Sequence, residues 1–459
     1  MTPDDEDFWF LPLGGTGEIG MNMNLYGHDG QWLMIDCGVT FEKNTDVDGE
    51  EITSQRPHVQ MADPQFIADR RKSLAGLVIT HAHEDHIGAV PYLWQQLRCP
   101  IYTTKFTAEI LRRKLVEAGL EKKVPVIIVE KGSQIAIGKF NVEWVALTHS
   151  IPDPYALIIS TPVGKVFHSA DWKLDSSPVV GEPFDKQRYQ MLADEEIDVL
   201  VCDSTNANVA GHSETEASLY KGLKSHIEHA KGRVVVACFG SNIARLHTIA
   251  KIAQETNRHL GLLGRSLINM VSAARATGVW EYGNTLVDSQ HLAYLPADSV
   301  LLVATGSQGE PRTALNRLSM NAFRDLQLEP SDTVIFSSKM IPGNELAIEA
   351  LIERLKAMKL DVITADDSAV SIHASGHPAA EELKLMYQWV KPQCALPVHG
   401  EWQHLQANAQ LAKSVGVPQQ LLGQNGDLFF IAPVKGLRRN AVKTGRLGLL
   451  QNKLIKIKT

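Results

Sequence analysis

The chain is built of short apolar runs that stop on polar residues, and the polar residues at those stops are of few kinds. Gly76-Leu77-Val78-Ile79-Thr80 is continuous enough to be a buried strand, and the apolar spacing over 87–97 predicts a helix. Between them stands His81-Ala82-His83-Glu84-Asp85-His86. Two strands are predicted within 8–26, joined by the glycine-rich turn Gly14-Gly15-Thr16-Gly17-Glu18-Ile19-Gly20. More strands follow over 32–36, 124–129, 134–137, 140–147, 156–160, 165–168 and 197–202, with a helix over 104–118. From Ser213 the pattern changes to helices over 214–230, 242–254, 266–277, 311–320 and 345–358, alternating with strands over 233–238, 300–304, 333–336 and 361–363. Such alternation predicts a parallel sheet covered by helices, a second domain. A helix over 379–390, with Pro378 at its first position, and a strand over 395–398 before a last helix close the pattern. No linker is evident near 204–212 or 365–378, so the second domain is expected as an insertion, with the chain returning to the first.

The polar stops carry candidate chemistry. On an extended loop His81 and His83 project the same way; Asp85 and His86 then open a helix facing a second position. Three histidines and an aspartate within six residues after a buried strand suit two neighbouring metal ions better than a wet loop. Imidazole and carboxylate favour zinc, with manganese as the alternative. His149 and Asp171 also follow strands, and Asp36 ends a strand where it would hold a ligand histidine from behind. Two more strands end in Asp203-Ser204-Thr205-Asn206 and His399-Gly400-Glu401. The glycine-rich turn is read as a tight turn beside the metal site; no Gly-Lys-Ser/Thr follows to make it a phosphate loop.

Composition narrows the class. With 44% hydrophobic and 21% charged residues the chain is an ordinary globular one, and 459 residues suit two domains. No run reaches the roughly 18 apolar residues of a membrane span, and the acidic start Met1-Thr2-Pro3-Asp4-Asp5-Glu6-Asp7 is unlike a secretory signal. Five scattered cysteines without a Cys-x-x-Cys pair argue for free thiols in a cytoplasmic location and against a thiolate-bound metal. A net charge of −7 does not advertise nucleic-acid binding. Locally, 431–459 holds eight Lys/Arg and no Asp or Glu, either a solvated tail or a contact for RNA.

Taken together, His81-x-His83-x-Asp85-His86, His149, Asp171 and His399 resemble the metallo-β-lactamase fold, and Asp203, His377 and His399 resemble the signature motifs of its β-CASP nuclease branch. Within that branch the chain is most similar to the ribonucleases J, through LGGTGEIGMN (13–22), HSIPD (149–153), DSTNA (203–207), Ser241-Asn242, TGSQGEP (305–311), IPGNE (341–345), HASGH (373–377) and PVHGE (397–401). The resemblance implies an α/β architecture: a four-layer αββα metallo-β-lactamase domain over 1–208 and 373–435, interrupted by a β-CASP domain with a parallel sheet over 209–372, then a basic stub over 436–459. It implies that His81, His83 and His149 hold one divalent ion, Asp85, His86 and His399 the other, and that Asp171 bridges. Pro154 and Trp172 depart from the usual pattern without touching a ligand. Members usually carry a further C-terminal domain, whose absence here weakens the transfer of homodimer formation and of endonuclease activity.

The activity implied is 5′-to-3′ exonuclease cleavage of single-stranded RNA with a 5′-monophosphate. Two ions about 3.5–4 Å apart lower the pKa of a shared water to about 7 and clamp both oxygens of an in-line displacement, leaving a 5′-phosphate and a 3′-hydroxyl. Asp85 would orient that water while ligating, and His377, beside Asp203, would protonate the departing oxygen; a helix-start residue with a structural hydrogen bond is the plainer account of His377. Ser241, Asn242, His373 and Ser375 are the candidates for gripping phosphate, with helix capping the competing role for Ser241 and Asn242. The alternatives are a small-molecule metallo-hydrolase such as a lactonase or thioester hydrolase, a DNA nuclease of the same branch, and a non-catalytic RNA-binding subunit. A complete ligand set disfavours the last.

Overall fold

In the computed structural model, which describes residues 1–42, 57–282, 286–323, 326–340 and 344–457, two large sheets face each other. Strand Phe8–Gly14 is buried throughout, and its residues alternate between two cores, as a period of two demands. Phe8 and Phe10 join Leu33, Ile35 and Val78 in the core between the sheets, while Trp9, Leu11 and Leu13 join Leu93, Leu97 and Leu111 of helices Val90–Leu97 and Lys105–Glu117 outside. This first sheet has eight strands, and Phe8–Gly14 lies between Leu428–Ala432 and Met23–His28. The second has seven. Its Trp144, Leu157, Val166 and Val201 face the first sheet, while Ile158, Phe167 and Leu200 pack against Leu383 and Met386 of helix Ala380–Val390. Helix, sheet, sheet, helix is the four-layer arrangement.

Strands Val199–Asp203 and Cys394–Val398 are parallel neighbours, Val199 beside Cys394. Everything between them therefore leaves the second sheet and returns next to its point of departure. The excursion contains a five-stranded sheet, His259–Leu263, Val300–Ala304, Val234–Ala237, Thr333–Phe336 and Asp361–Ile363 in spatial order, parallel throughout. Val234, Val236 and Ile335 face one side and Val235, Ala237 and Val334 the other, both covered, which is why these strands read as unbroken apolar runs. The chain first winds to one side of Val234–Ala237 and then to the other. In such a sheet a reversal of this kind marks the carboxyl ends of Val234–Ala237 and Thr333–Phe336 as the usual place for a ligand.

The structure corrects several expectations. The helix expected over 87–97 is two, Glu84–Ile87 and Val90–Leu97. It begins early because His83 keeps an extended backbone and Glu84 and Asp85 fill the first turn, where negative charge suits the helix dipole. The later helix starts at Ala380, not at Pro378; the Glu382 carboxylate accepts from Ala379 N at 2.9 Å and sets the boundary. Strand His259–Leu263 was hidden by Gly261, where a Cβ would come within 2.1 Å of Leu292. The basic segment is no solvated tail. Arg446–Leu450 and Lys453–Ile457 form a hairpin on strand Val59–Ala62, and Lys435, Arg439, Arg446 and Lys456 pair with Asp198, Asp427, Glu18 and Asp63. Lys458, Thr459 and the Ile341-Pro342-Gly343 part of the IPGNE segment lie outside the described residues.

Candidate metal and catalytic centre

Five of the seven candidate ligands sit where a strand ends, and Asp85 and His86 lie on the short helix Glu84–Ile87. His81 and His83 follow Leu74–Val78, His149 follows Phe140–Ala146, Asp171 follows Gly164–His168 and His399 follows Cys394–Val398. Asp36 (φ 63°), Ala170 (φ 51°) and His399 (φ 52°) take the left-handed backbone, which is unfavourable for residues with a Cβ and turns the chain sharply. Gly38 lets the motif loop approach, since a Cβ there would lie 1.6 Å from Asp85 O. The glycine-rich turn Gly14–Gly20 also serves this site: His399 N donates to Gly15 O (2.7 Å) and Gly400 N to Glu18 O (3.0 Å).

Three overlapping donor groups result, the third being Asp171, Asp203, His377 and His399. In the first, His83 Nδ1 is 3.1 Å from both His81 Nε2 and His149 Nε2, and Asp171 Oδ2 is 3.8 and 3.9 Å from His81 and His149. In the second, His86 Nε2 is 3.2 Å from Asp171 Oδ2 and 3.5 Å from Asp85 Oδ2, and His399 Nε2 is 3.2 Å from Asp85 Oδ2. Asp171 belongs to all three groups. Tetrahedral ligands about 2.0–2.1 Å from a zinc ion lie about 3.3 Å from one another, so spacing and donor chemistry both fit a pair of divalent ions. Burial holds His81 and His149 well below the ordinary imidazole range and His83 at about 4, which leaves their lone pairs free for a metal. Burial alone would raise the Asp171 carboxyl, but His399, His86 and His377 hold it well below the usual carboxylate range.

The rings are held from behind. Asp36 Oδ2 accepts from His86 Nδ1 at 2.7 Å, and Asp36 Oδ1 accepts from Thr80 N at 2.8 Å. Thr80 Oγ1 lies 3.0 Å from His81 Nδ1, Gly376 O 2.5 Å from His149 Nδ1 and Thr205 Oγ1 3.0 Å from His399 Nδ1. Asp36 is thus the rear support its strand-end position predicted. Thr80, Thr205 and the Gly376 carbonyl were missed, because hydroxyls and backbone oxygens carry no pattern that marks this role. Asp36→Asn should weaken metal affinity about 10- to 100-fold, measured by metal titration, with the rate recovering in excess metal; unchanged affinity would remove this role.

Beside the ligands, Asp203 Oδ2 lies 2.8 Å from His377 Nδ1, and Asp203 Oδ1 accepts from Thr205 N (2.8 Å) and Thr205 Oγ1 (2.7 Å). The Asp203 carboxylate is sealed in while the His377 side chain is 22% exposed, so one end of the dyad is fixed and the other faces outward. Burial lowers the His377 pKa, but the Asp203 and Asp171 carboxylates outweigh it and hold the imidazole above its ordinary value. The ring is thus protonated more readily than a free imidazole and is fixed at Nδ1.

The phosphate candidates lie outside these donor groups, two of them in the inserted domain. Asn242 corrects its expectation: it is buried, its Oδ1 accepts from Arg245 N (2.9 Å) at the start of helix Ile243–Glu255, and its Nδ2 donates to Glu216 Oε1 (3.1 Å). Both ends of the amide are engaged within the protein, and the capping role holds. Ser241 is half-buried on the loop between strand Val234–Ala237 and that helix. His373 Nδ1 meets Ser337 O at 3.3 Å, and Ser375 Oγ accepts from Asn206 Nδ2 at 2.8 Å and from His377 N at 3.2 Å.

Comparison with known proteins decides what this arrangement belongs to. Residues 17–216 match the model of the metallo-beta-lactamase superfamily, 231–355 that of the ribonuclease J beta-CASP domain, and 368–421 that of the Zn-dependent metallo-hydrolase RNA specificity domain. The ribonuclease J of Sinorhizobium meliloti is 42% identical over 435 residues, which cover 94% of this chain and 75% of that one. The chain belongs to the ribonuclease J family. The ribonuclease J of Mycolicibacterium smegmatis is 38% identical over 440 residues, covering 95% of this chain and 76% of its own. A crystal structure of a protein of unknown function from Enterococcus faecalis V583 superposes over 92% of this chain and all of that one, with a TM-score of 0.62 at 15% identity, a likeness of fold. As a ribonuclease J family member the protein is a metal-dependent nuclease acting on the ester bonds of RNA. Its metallo-β-lactamase domain carries an inserted β-CASP domain, and its His/Asp cluster is that of a dinuclear metal site.

Proposed function

We propose that the protein degrades single-stranded RNA from a 5′-monophosphate end, 5′ to 3′, with zinc as its metal. The observation that carries this reading is the Asp203–His377 dyad set against the shared Asp171 carboxylate, His377 Nδ1 being 3.9 Å from Asp171 Oδ2. His81, His83 and His149 would hold one ion, Asp85, His86 and His399 the other, and Asp171 both. When bound, the ions supply an activated water and neutralise charge at phosphorus. Asp85 orients the attacking water. His377, with Nδ1 taken by Asp203, presents Nε2 and delivers a proton to the departing 3′-oxygen, so the products are a 5′-phosphate and a 3′-hydroxyl. Ser241, His373 and Ser375 are the groups we assign to the terminal phosphate. Unpaired RNA is the substrate form we assign, since its bases and backbone are open to contact where a duplex's are not.

The test is cleavage of one single-stranded RNA bearing a 5′-monophosphate, a triphosphate or a hydroxyl, with zinc or manganese. Mononucleotide release from the monophosphate RNA alone is the expected result. Internal cuts that ignore the end group would replace it with an endonuclease, and preference for single-stranded DNA with a DNA nuclease. Cleavage of lactones or thioesters but not RNA would overturn the substrate class. Five free, buried cysteines support a reducing, cytoplasmic location. A homodimer is the assembly we expect, checked by sedimentation of the same preparation.

A further inference from the structure

The segment that carries His377 has no regular secondary structure from Ile372 to Pro378, yet five of its carbonyls accept hydrogen bonds from side chains, that of His377 from Asn206 Nδ2 at 3.4 Å. Ser337 Oγ donates to Ile372 O (2.6 Å), Arg245 Nη2 to Ala374 O (3.4 Å), Lys173 Nζ to Ser375 O (3.2 Å) and His149 Nδ1 to Gly376 O (2.5 Å). Two of these donors are buried cations, Lys173 and Arg245, each 1% exposed. They come from different domains: Lys173 follows the bridging Asp171, and Arg245 lies on helix Ile243–Glu255 of the inserted domain.

Their charges are matched by carboxylates that are themselves joined. Arg245 Nε and Nη2 donate to the two oxygens of Glu216, each at 3.0 Å, and Arg245 Nη1 donates to Ser337 O at 2.8 Å. Lys173 Nζ lies 3.5 Å from Asp175 Oδ2, which also accepts from Glu216 N at 3.0 Å. The Lys173 backbone is tied to the ligand strand end, Lys173 N donating to Thr148 O at 2.8 Å and Thr148 Oγ1 to Lys173 O at 2.7 Å. Buried ion pairs contribute little stability beyond well-packed apolar groups of the same volume, so stability alone gives no reason for two of them here. What they share is the backbone of one segment.

We infer that Arg245 and Lys173, with Glu216 and Asp175, are positioning residues that clamp the carbonyls of 372–375 from the two domains and thereby set His377 against the metal centre. This rests on the proposed role of His377 as proton donor. It makes docking of the inserted domain a condition for proton delivery: Arg245 reaches the segment only while the helix that bears it is seated.

The experiment is a double-mutant cycle on RNA cleavage at saturating metal, with melting temperature and bound metal measured alongside. Arg245→Met alone leaves Glu216 buried without its partner and should lower the melting temperature. Glu216→Gln combined with Arg245→Met removes both charges and should restore it. With the fold restored, kcat should still fall about 10- to 100-fold, since a small misplacement of a catalytic group costs that much, while KM and bound metal stay as in the wild type. Adding His377→Ala to that pair should slow turnover no further than His377→Ala alone, because both act on the same proton. Arg245→Lys, with Glu216 intact, should recover part of the rate. Recovery of wild-type kcat with the melting temperature would make the pair merely structural, and a triple variant as slow as the product of the two defects would show that the clamp does not act through His377. Wild-type turnover in His377→Ala would instead remove the proton-donor reading itself.

Discussion

Replacing Asp171 with alanine should strip the protein of both metal ions and reduce RNA cleavage by about a thousandfold or more. Its carboxylate is the member common to the donor groups and lies against the Asp203–His377 dyad as well. Each ion contributes several kcal/mol of charge stabilisation in the transition state, and every 1.36 kcal/mol is a factor of ten in rate. The variant also leaves His86 and His399, held protonation-prone by carboxylates around them, without the strongest of those partners. Metal analysis of the purified variant together with a cleavage assay checks this. Retention of two ions by the variant would contradict the placement of Asp171 between them. Asp85→Ala should behave differently, losing activity and the ion held by Asp85, His86 and His399, while the three-histidine group keeps its own.

His377→Ala should lower turnover by about 10²- to 10⁴-fold, the usual contribution of a positioned acid, with metal content unchanged. His377 stands outside the two groups expected to hold the ions, although it forms a third group with Asp171, Asp203 and His399, and its Nδ1 is bound to Asp203. Two substrates separate the roles. For an RNA linkage the departing alkoxide needs a proton; for a p-nitrophenyl phosphodiester the departing phenolate does not. The defect should therefore shrink sharply on the second substrate. An equal defect on both would point to phosphate positioning rather than proton delivery, and loss of metal would make His377 structural. Asp203→Asn should follow the same pattern less severely, because the ring keeps a hydrogen-bond partner but loses the charge that holds its proton.

Much of this site could be read from residue order because the architecture places ligands at strand ends, and strand ends are visible as apolar runs that stop. His81, His83, His149, Asp171 and His399 all follow that rule. Which of them share an ion was not readable from spacing; it depends on two sheets meeting face to face, and only the family resemblance carried it. The supporting groups were out of reach for a different reason. Gly376 acts through a carbonyl, and Thr80 and Thr205 through hydroxyls that occur everywhere in loops. Asn242 was misjudged because a helix cap and a phosphate donor are the same amide until its partners are known. The solvated-tail reading of the basic segment failed for a related cause: Lys435, Arg439, Arg446 and Lys456 find carboxylates, three of them far away in the chain, which a run of like charge does not reveal.

Strand Phe8–Gly14 lies between Met23–His28 and Leu428–Ala432, and Cys394–Val398 completes the second sheet beside Val199–Asp203. This has a consequence during synthesis on the ribosome, where domains fold as units from the N-terminal side. The strands of the inserted domain all lie between Val234 and Ile363, so that domain has its whole sheet available while the metallo-β-lactamase domain still lacks Cys394–Val398 and Leu428–Ala432. Six of the seven ligands emerge before it, and His399 only after it. A ribosome-bound chain thus has its three-histidine group early but cannot close the second group until Cys394–Val398 and His399 have emerged.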